Sequence, residues 1–333
     1  MNNRQIILTS RPIGVPQPSH FELRTSPVPP LNDGEFLVEN VYLSVDPAQR
    51  GYVNEENNYA PPVPLGGVMR AMAVGRVIDS RNEGFRAGDY LYGWFGWQDY
   101  CACQPGAVLR RVDPAQAPLS AAAGVLGING LTAYLALEDI GRPKPGETIV
   151  VTAAAGAVGS IVGQLAKLAA CRTVAVVGSD GKGRHCVAQY GYDAFVNYHE
   201  PAAESLKHAC PKGVDIFFDN VAGELADTIL RQMNPFGRVI KCGTVSIPVW
   251  VPPPQGPRID REILTRRLRI EGFIIFDHIA RFEAAAAKLA GLLAEGKLRY
   301  DEDIETDIAE APRALVDVYA GRNSGKKLVR LRD

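Results

Sequence analysis

The sequence has no surplus of either charge. Its 333 residues set 36 Lys and Arg against 37 Asp and Glu, a formal net charge of −1. With no basic excess there is no electrostatic case for a nucleic-acid partner, and no acidic tail is present. The opening stretch, MNNRQIILTSRP, has no long apolar run, which argues against a secretory signal and for a cytoplasmic protein. One uncharged segment, Ala115 to Leu137, needs weighing as a membrane span. It carries Pro118, Gly124, Gly127, Asn129 and Gly130 and is otherwise rich in Ala, so it reads as a buried segment between domains. The six cysteines include no CxxC pair, and only Cys101 and Cys103 are close in sequence. A structural zinc site wants four ligands at repeated short spacing, so no metal is expected and the thiols are expected to be reduced. The five histidines form no metal-like cluster.

What is present is ordinary globular composition, 46% hydrophobic and 22% charged, with 33 Gly and 24 Pro marking many turns. The length suggests two domains. Up to about residue 115 the chain offers short strand candidates bounded by turn residues, among them Phe36 to Tyr42, Val74 to Ile78 and Asp89 to Gly93. That density suggests a compact β-barrel. After residue 145 the texture changes. Strands are expected at Ile149–Ala153, Thr173–Val177, Ala194–Tyr198, Val214–Asn220, Arg238–Cys242 and Arg269–Ile275, with helical segments between them. Such alternation predicts a doubly wound parallel sheet. Helices at Phe282–Glu295 and Ala311–Ala320 and a closing strand at Lys326–Leu331 form the tail, which can rejoin the first domain.

The sharpest motif is Ala153-Ala154-Ala155-Gly156-Ala157-Val158-Gly159-Ser160, between a strand and a helix. It is a variant of the dinucleotide fingerprint. Small residues let the backbone approach a pyrophosphate, and the helix N-terminus supplies N–H groups and positive dipole. An NAD site places Asp or Glu at the end of the second strand; here that strand ends at Gly178-Ser179, and Lys182 and Arg184 follow. Removing a carboxylate and adding cations suits the 2′-phosphate of NADP(H). The plainer reading makes Lys182 and Arg184 a solvated helix face.

Several further runs carry a resemblance: Leu43-Ser44-Val45-Asp46-Pro47, Gly96-Trp97-Gln98-Asp99-Tyr100, Gly130-Leu131-Thr132-Ala133-Tyr134, Phe218-Asp219-Asn220-Val221, Glu271-Gly272-Phe273 and Gly321-Arg322-Asn323-Ser324-Gly325-Lys326. Together they resemble the zinc-independent medium-chain dehydrogenase/reductases, in the branch of prostaglandin, leukotriene hydroxydehydrogenase and curcumin reductases. The resemblance implies an α/β protein with a GroES-like β-barrel domain over 1–125, a Rossmann NADP(H)-binding domain over 126–290 and a return to the first domain over 291–333, with the cofactor in the cleft between domains. Zinc-dependent relatives carry Gly-His-Glu where this chain reads Gly66-Gly67-Val68-Met69. By position, Ala157, Val158, Gly159 and Ser160 would hold the pyrophosphate. Gly178, Lys182 and Tyr198 would face the 2′-phosphate end. Asn220, Cys242, Gly243 and Thr244 would line the ribose and nicotinamide path, and Phe273, Ile274, Ile275 and Asn323 would hold the nicotinamide side.

The implied reaction is hydride transfer from NADPH to the β-carbon of an α,β-unsaturated aldehyde or ketone, followed by protonation of the enolate. Alternatives are a quinone reductase and a nucleotide-binding sensor without catalysis. Two tyrosines common in the family are missing: Ala48-Gln49 stands where many relatives have Tyr-Met, and Thr244 to Trp250 contains no Tyr. Tyr59 is then the leading side-chain donor to the enolate, with Tyr52 second; either can instead be a packed loop aromatic. Trp97 packs the barrel or borders the substrate, and Tyr134 is read as structural. Cys242, with no His nearby in sequence, reads as a small spacer rather than a nucleophile. Pro248 and Trp250 suggest a reshaped pocket. The partners implied are a small enone, enal or quinone and a second copy of the chain, paired through an apolar edge formed by Gly272 to Ile275.

Overall fold

The computed structural model describes residues 1–55, 58–247 and 249–332, so Pro248 lies outside the described residues. The chain divides into two units: Met1–Gly127 with Glu302–Asp333, and Ile128–Asp301. The expected boundaries were 125/126 and 290/291; the tail rejoins the first unit only after Asp301, because the helix over Phe282–Ala294 packs within the second.

The first unit contains β1 (Asn2–Leu8), β2 (Phe21–Pro27), β3 (Phe36–Ser44), α1 (Gln49–Val53), β4 (Ala73–Ser80), β5 (Tyr90–Gly93), β6 (Tyr100–Cys103), β7 (Val108–Val112) and α2 (Leu119–Ala123). The second carries α3 (Ile128–Ala136), β8 (Thr148–Thr152), α4 (Gly159–Leu168), β9 (Arg172–Val177), α5 (Asp180–Tyr190), β10 (Ala194–Asn197), α6 (Ala202–Ala209), β11 (Val214–Asp219), α7 (Gly223–Leu230), β12 (Met233–Lys241), α8 (Asp260–Arg266), β13 (Arg269–Gly272) and α9 (Phe282–Ala294). The chain then returns to the first unit as β14 (Glu302–Glu305), α10 (Ala311–Tyr319) and β15 (Lys326–Arg330).

In the first unit, a sheet in the order β14-β15-β3-β4-β5-β7, with β6 also on β3, wraps a core that includes Phe36, Val38, Leu43, Leu91, Phe95, Trp97, Leu315 and Val329. The central strand β3 is bulged twice against β4, which curves the sheet. At Gly75 the strands approach so closely that a Cβ would stand 2.4 Å from Val38 Cγ1 and 2.7 Å from the Glu39 carbonyl oxygen. Lys326, at the start of β15, is fully buried and donates to Asp46 Oδ1 at 2.7 Å and to the Val45 carbonyl at 2.8 Å. Ser44 Oγ donates to the other Asp46 oxygen. This network fixes the Val45-Asp46-Pro47 turn that leads into α1. Removing one partner of such a pair leaves a buried charge and costs roughly 3–5 kcal/mol.

The second unit is a six-stranded parallel sheet in the order β10-β9-β8-β11-β12-β13. Strands covered on both faces read as unbroken apolar runs, and Ile149-Val150-Val151 and Val174-Ala175-Val176 are at most 1% exposed. Strand order reverses between β8 and β11, and ligands of open parallel sheets bind outside the carboxyl ends at that point. The fifth strand begins at Met233 rather than Arg238: Asn234-Pro235-Phe236-Gly237 reads as a turn, but Met233 pairs with Val214 before the register shifts. The sixth ends at Gly272 rather than Ile275. Phe273 and Ile275 turn inward at 5% and 8% exposed. The regular edge strand is therefore Arg269-Ile270-Glu271-Gly272, carrying a paired Arg269 and Glu271, and of the apolar edge expected at Gly272 to Ile275 only Gly272 lies in the strand. The uncharged stretch from Ala115 to Leu137 holds α2 and α3; among the described residues no helix is long and apolar enough to cross a membrane.

Candidate active site

The strand–helix turn after β8 is built on a strained residue and a glycine that has no substitute. Ala153 takes φ 50°, a left-handed conformation that a residue with a Cβ rarely adopts. Its carbonyl accepts from Gly156 N–H at 2.9 Å, and a Cβ on Gly159 would stand 2.5 Å from that carbonyl oxygen and 2.7 Å from Ala154 Cα. The N–H groups of Ala157 and Val158 have no protein acceptor among the described residues. Gly159 and Ser160 open α4 and are buried. Two unengaged donors, a close-approach glycine and a helix N-terminus at the switch point fit a pyrophosphate.

One strand across, β9 runs to Val177 and is followed by Gly178 and the cap Ser179, whose hydroxyl accepts from Lys182 N–H at 3.3 Å. A Cβ on Gly178 would lie 2.7 Å from the Tyr198 hydroxyl, so the glycine makes room for that ring. Tyr198 is 43% exposed and lies against His199, ring centroids 4.6 Å apart. Asp180, the acid nearest the expected 2′-phosphate, accepts from Asn197 Nδ2 at 3.0 Å and faces Arg184 at 4.0 Å. Lys182 and Arg184 both lie on α5 at that end.

At the ends of β8, β11 and β12 the backbone is braced by side chains. Asn220 donates through Nδ2 to the Thr152 carbonyl at 2.8 Å, and its N–H reaches Thr152 Oγ1 at 2.9 Å. Its amide nitrogen is thus a brace between strands. Asp219 is fully buried, accepts from Val221 and Ala222 N–H at 3.0 and 2.9 Å, and pairs with Lys241 at 2.6 Å. Cys242 and Gly243 N–H donate to the Asp219 carbonyl, and a Cβ on Gly243 would lie 2.6 Å from the Asn220 carbonyl oxygen. Desolvation, helped by the Asp219 charge, pushes the Cys242 thiol up to about 12, as suits a spacer. Thr244 follows in the same turn, where its carbonyl accepts from Ile247 N–H. Phe273 stacks on His278, centroids 4.7 Å apart and 15° between planes. Ile274 is half-buried between inward-facing neighbours. Ala157–Ser160, Gly178, Lys182, Tyr198, Asn220, Cys242–Thr244 and Phe273–Ile275 thus all lie along one edge of one sheet. Asn323 belongs to the first unit, where its amide donates to the Gly325 carbonyl at 2.8 Å.

The first unit brings together the two candidate tyrosines. Tyr52, on α1, is 2% exposed; Tyr59 is 45% exposed. Their hydroxyls are 3.5 Å apart, with Tyr59 donating. Tyr52 meets Tyr59 and Trp94 edge-to-face at centroid distances of 6.1 and 5.9 Å. Burial, reinforced by the neighbouring Tyr59, raises Tyr52 far above the ordinary phenol range, so it stays a neutral hydrogen-bonding group. The Arg70 guanidinium lies 5.5 Å from the Tyr52 ring centroid. Sequence reasoning missed Trp94 and Arg70, which carry no motif. Trp97 is fully buried and donates through Nε1 to the Ser44 carbonyl at 3.1 Å, so it packs the first unit. Tyr134 donates to Glu138 on its own helical segment.

Residues 4–112 match the family described as the N-terminal domain of oxidoreductase, and residues 157–291 the family described as zinc-binding dehydrogenase. The chain is 40% identical to NADPH-dependent curcumin reductase of Escherichia coli (strain K12), over 99% of this chain and 97% of that protein. The chain belongs to the medium-chain dehydrogenase/reductase family. It is also 40% identical to prostaglandin reductase 1 of Rattus norvegicus, over 95% of each chain. The crystal structure of CurA in complex with NADPH from Vibrio vulnificus matches with a TM-score of 0.93 at 36% identity, covering 99% of each chain. The description of the chain's second matched family speaks of zinc, yet among the described residues no group of three or more His, Cys, Asp or Glu is placed to hold a metal ion. The described residues do not fit one.

Proposed function

We propose that this protein is an NADPH-dependent reductase of the carbon–carbon double bond in α,β-unsaturated aldehydes and ketones. The observation that carries the reading is the hydrogen-bonded hydroxyl pair of Tyr59 and Tyr52 within the first unit. Reduction of an enone builds negative charge on its carbonyl oxygen, and a hydrogen-bond donor aimed at that oxygen lowers the barrier. Tyr59, which is exposed, takes that role by turning its O–H from Tyr52 to that oxygen, with Tyr52 then donating to the Tyr59 oxygen. Its proton then serves the enolate directly or through solvent, and water restores it.

When bound, NADPH supplies the hydride that goes to the β-carbon. The rest is positioning. Ala157 and Val158 donate backbone N–H groups to the pyrophosphate. Lys182 and Tyr198 hold the 2′-phosphate, with no carboxylate at Gly178 to repel it. Asn220, Cys242, Gly243 and Thr244 line the ribose and nicotinamide path, and Phe273, Ile274, Ile275 and Asn323 hold the nicotinamide side. One hydride and one proton are consumed, giving the saturated carbonyl compound and NADP⁺. We further propose a cytoplasmic homodimer, a reading that rests on family resemblance. Sedimentation equilibrium tests it, and a monomer at micromolar concentration overturns it.

The deciding experiment follows NADPH absorbance with a panel of enals, enones and quinones, with NADH in parallel. Rapid oxidation by enones and preference for NADPH support the reading. A quinone as the much better acceptor moves the assignment to quinone reduction. Tight NADPH binding with no acceptor oxidising it leaves a nucleotide-binding role.

A further inference from the structure

Arg70 lies beside the tyrosine pair and plays no part in the reduction described above. Its backbone carbonyl accepts from Gln49 Nε2 at 3.3 Å, and its guanidinium donates through Nη1 to the Pro61 carbonyl. The same group sits over the Tyr52 ring, 5.5 Å from the centroid. No other hydrogen bond engages it among the described residues, and no carboxylate there lies within ion-pair distance. Elsewhere in the chain Arg4, Arg111, Arg238 and Arg281 each hold a carboxylate at 2.8, 2.8, 2.6 and 2.6 Å. On either side of α1, Asp46 pairs with Lys326 at 2.7 Å and Glu55 with Arg11 at 3.5 Å.

A guanidinium carries five N–H donors in a planar fork, and one carbonyl uses only part of it. Arg70 is half-buried, so its charge is less screened than that of a fully exposed arginine. Its guanidinium is held by the Pro61 carbonyl and the Tyr52 ring, so less entropy is lost when an anion docks. Tyr52 is itself covered, but the two rings that meet it edge-to-face, Tyr59 and Trp94, keep exposed surface that suits a flat apolar body.

We infer that Arg70 is an anion subsite, and that the substrates are unsaturated carbonyl compounds with a planar apolar body ending in a carboxylate. This deepens the reductase reading and rests on it. The carboxylate docks on the open edge of the guanidinium. The apolar body lies against the aromatic side chains, and the enone oxygen is served by Tyr59.

The test compares 4-phenylbut-3-en-2-one with its para-carboxylate, at saturating NADPH, in the wild type and in Arg70→Met and Arg70→Lys. The wild type is expected to favour the carboxylate about tenfold in kcat/KM, mostly through KM. Arg70→Met is expected to abolish that ratio and Arg70→Lys to keep part of it. Equal kcat/KM for the two enones in the wild type, or a preference that survives Arg70→Met, overturns the subsite. If neither enone oxidises NADPH, the reductase reading is what has failed. Calorimetric titration of the carboxylated enone into the NADPH-loaded protein then decides on Arg70. Binding lost in Arg70→Met keeps the anion subsite, and absent or unaltered binding removes it.

Discussion

The hydroxyl of Tyr59 rests on the hydroxyl of Tyr52 at 3.5 Å, an exposed phenol held by a buried one. The two are not equivalent. Tyr59→Phe deletes the donor while keeping the ring, and kcat for an enone is expected to fall about a hundredfold, the scale of a lost proton donor. Tyr52→Phe removes only the anchor, and about a tenfold loss is expected. The KM for NADPH should hold in both. Steady-state kinetics on the two variants check this. Full kcat in Tyr59→Phe would show that the donor lies elsewhere.

Cofactor choice is expected to follow Lys182. Replacing it with Ala removes a cation from the 2′-phosphate, raising the KM for NADPH about tenfold and leaving that for NADH unchanged. Gly178→Ala reaches the same end sterically. Its Cβ would lie 2.7 Å from the Tyr198 hydroxyl, so the ring must swing away. Parallel titrations with NADPH and NADH separate these effects from general loss of binding.

The turn after β8 should respond in opposite directions to two small changes. Ala153→Gly relieves a residue at φ 50° and is expected to stabilise by about 1 kcal/mol. Gly159→Ala places a methyl 2.5 Å from the Ala153 carbonyl oxygen, a backbone atom that cannot yield locally. It is expected to cost roughly 1–3 kcal/mol and to abolish tight NADPH binding. Thermal melts with and without NADPH read both.

Acid sensitivity should be traceable to Asp193. Burial pulls its carboxyl up. The Lys167 ammonium at 2.8 Å and the Thr173 N–H at 2.7 Å more than offset this, and its pKa is lowered from 3.8. A carboxylate lowered on folding contributes stability fully above its unfolded value and loses it as pH falls through the folded value. Asp193→Asn is therefore expected to destabilise at pH 7 and to flatten the loss of stability below pH 3.8. Denaturant titrations from pH 7 to pH 2 give the comparison.

The parallel sheet was legible because its strands are buried on both faces and alternate with helices, a pattern that survives in one dimension. The pyrophosphate turn was legible for a similar reason, since small residues at fixed spacing serve a local geometry. The sixth strand was misread at its end. An apolar run such as Phe273-Ile274-Ile275 has no periodicity that separates a strand from a buried turn. Arg70 could not be found from sequence. Its meaning depends on Pro61 and Tyr52, neighbours that only the fold supplies, and on there being no carboxylate within ion-pair distance of it among the described residues. Tyr52 and Tyr59 were chosen singly, and only the structure pairs their hydroxyls.

The strand β15 sits between β14 and β3, with Lys326 buried against Asp46. Its place in the sheet has a consequence for synthesis. The second unit is one continuous stretch, 128–301, made in full before the last strands of the first. The first unit begins earlier yet cannot close its sheet until β15 is made, because β3 lacks a neighbour and Asp46 lacks its cation. The half of the protein that is made first therefore matures last, and its open strand edge is the part of the nascent chain most in need of a chaperone.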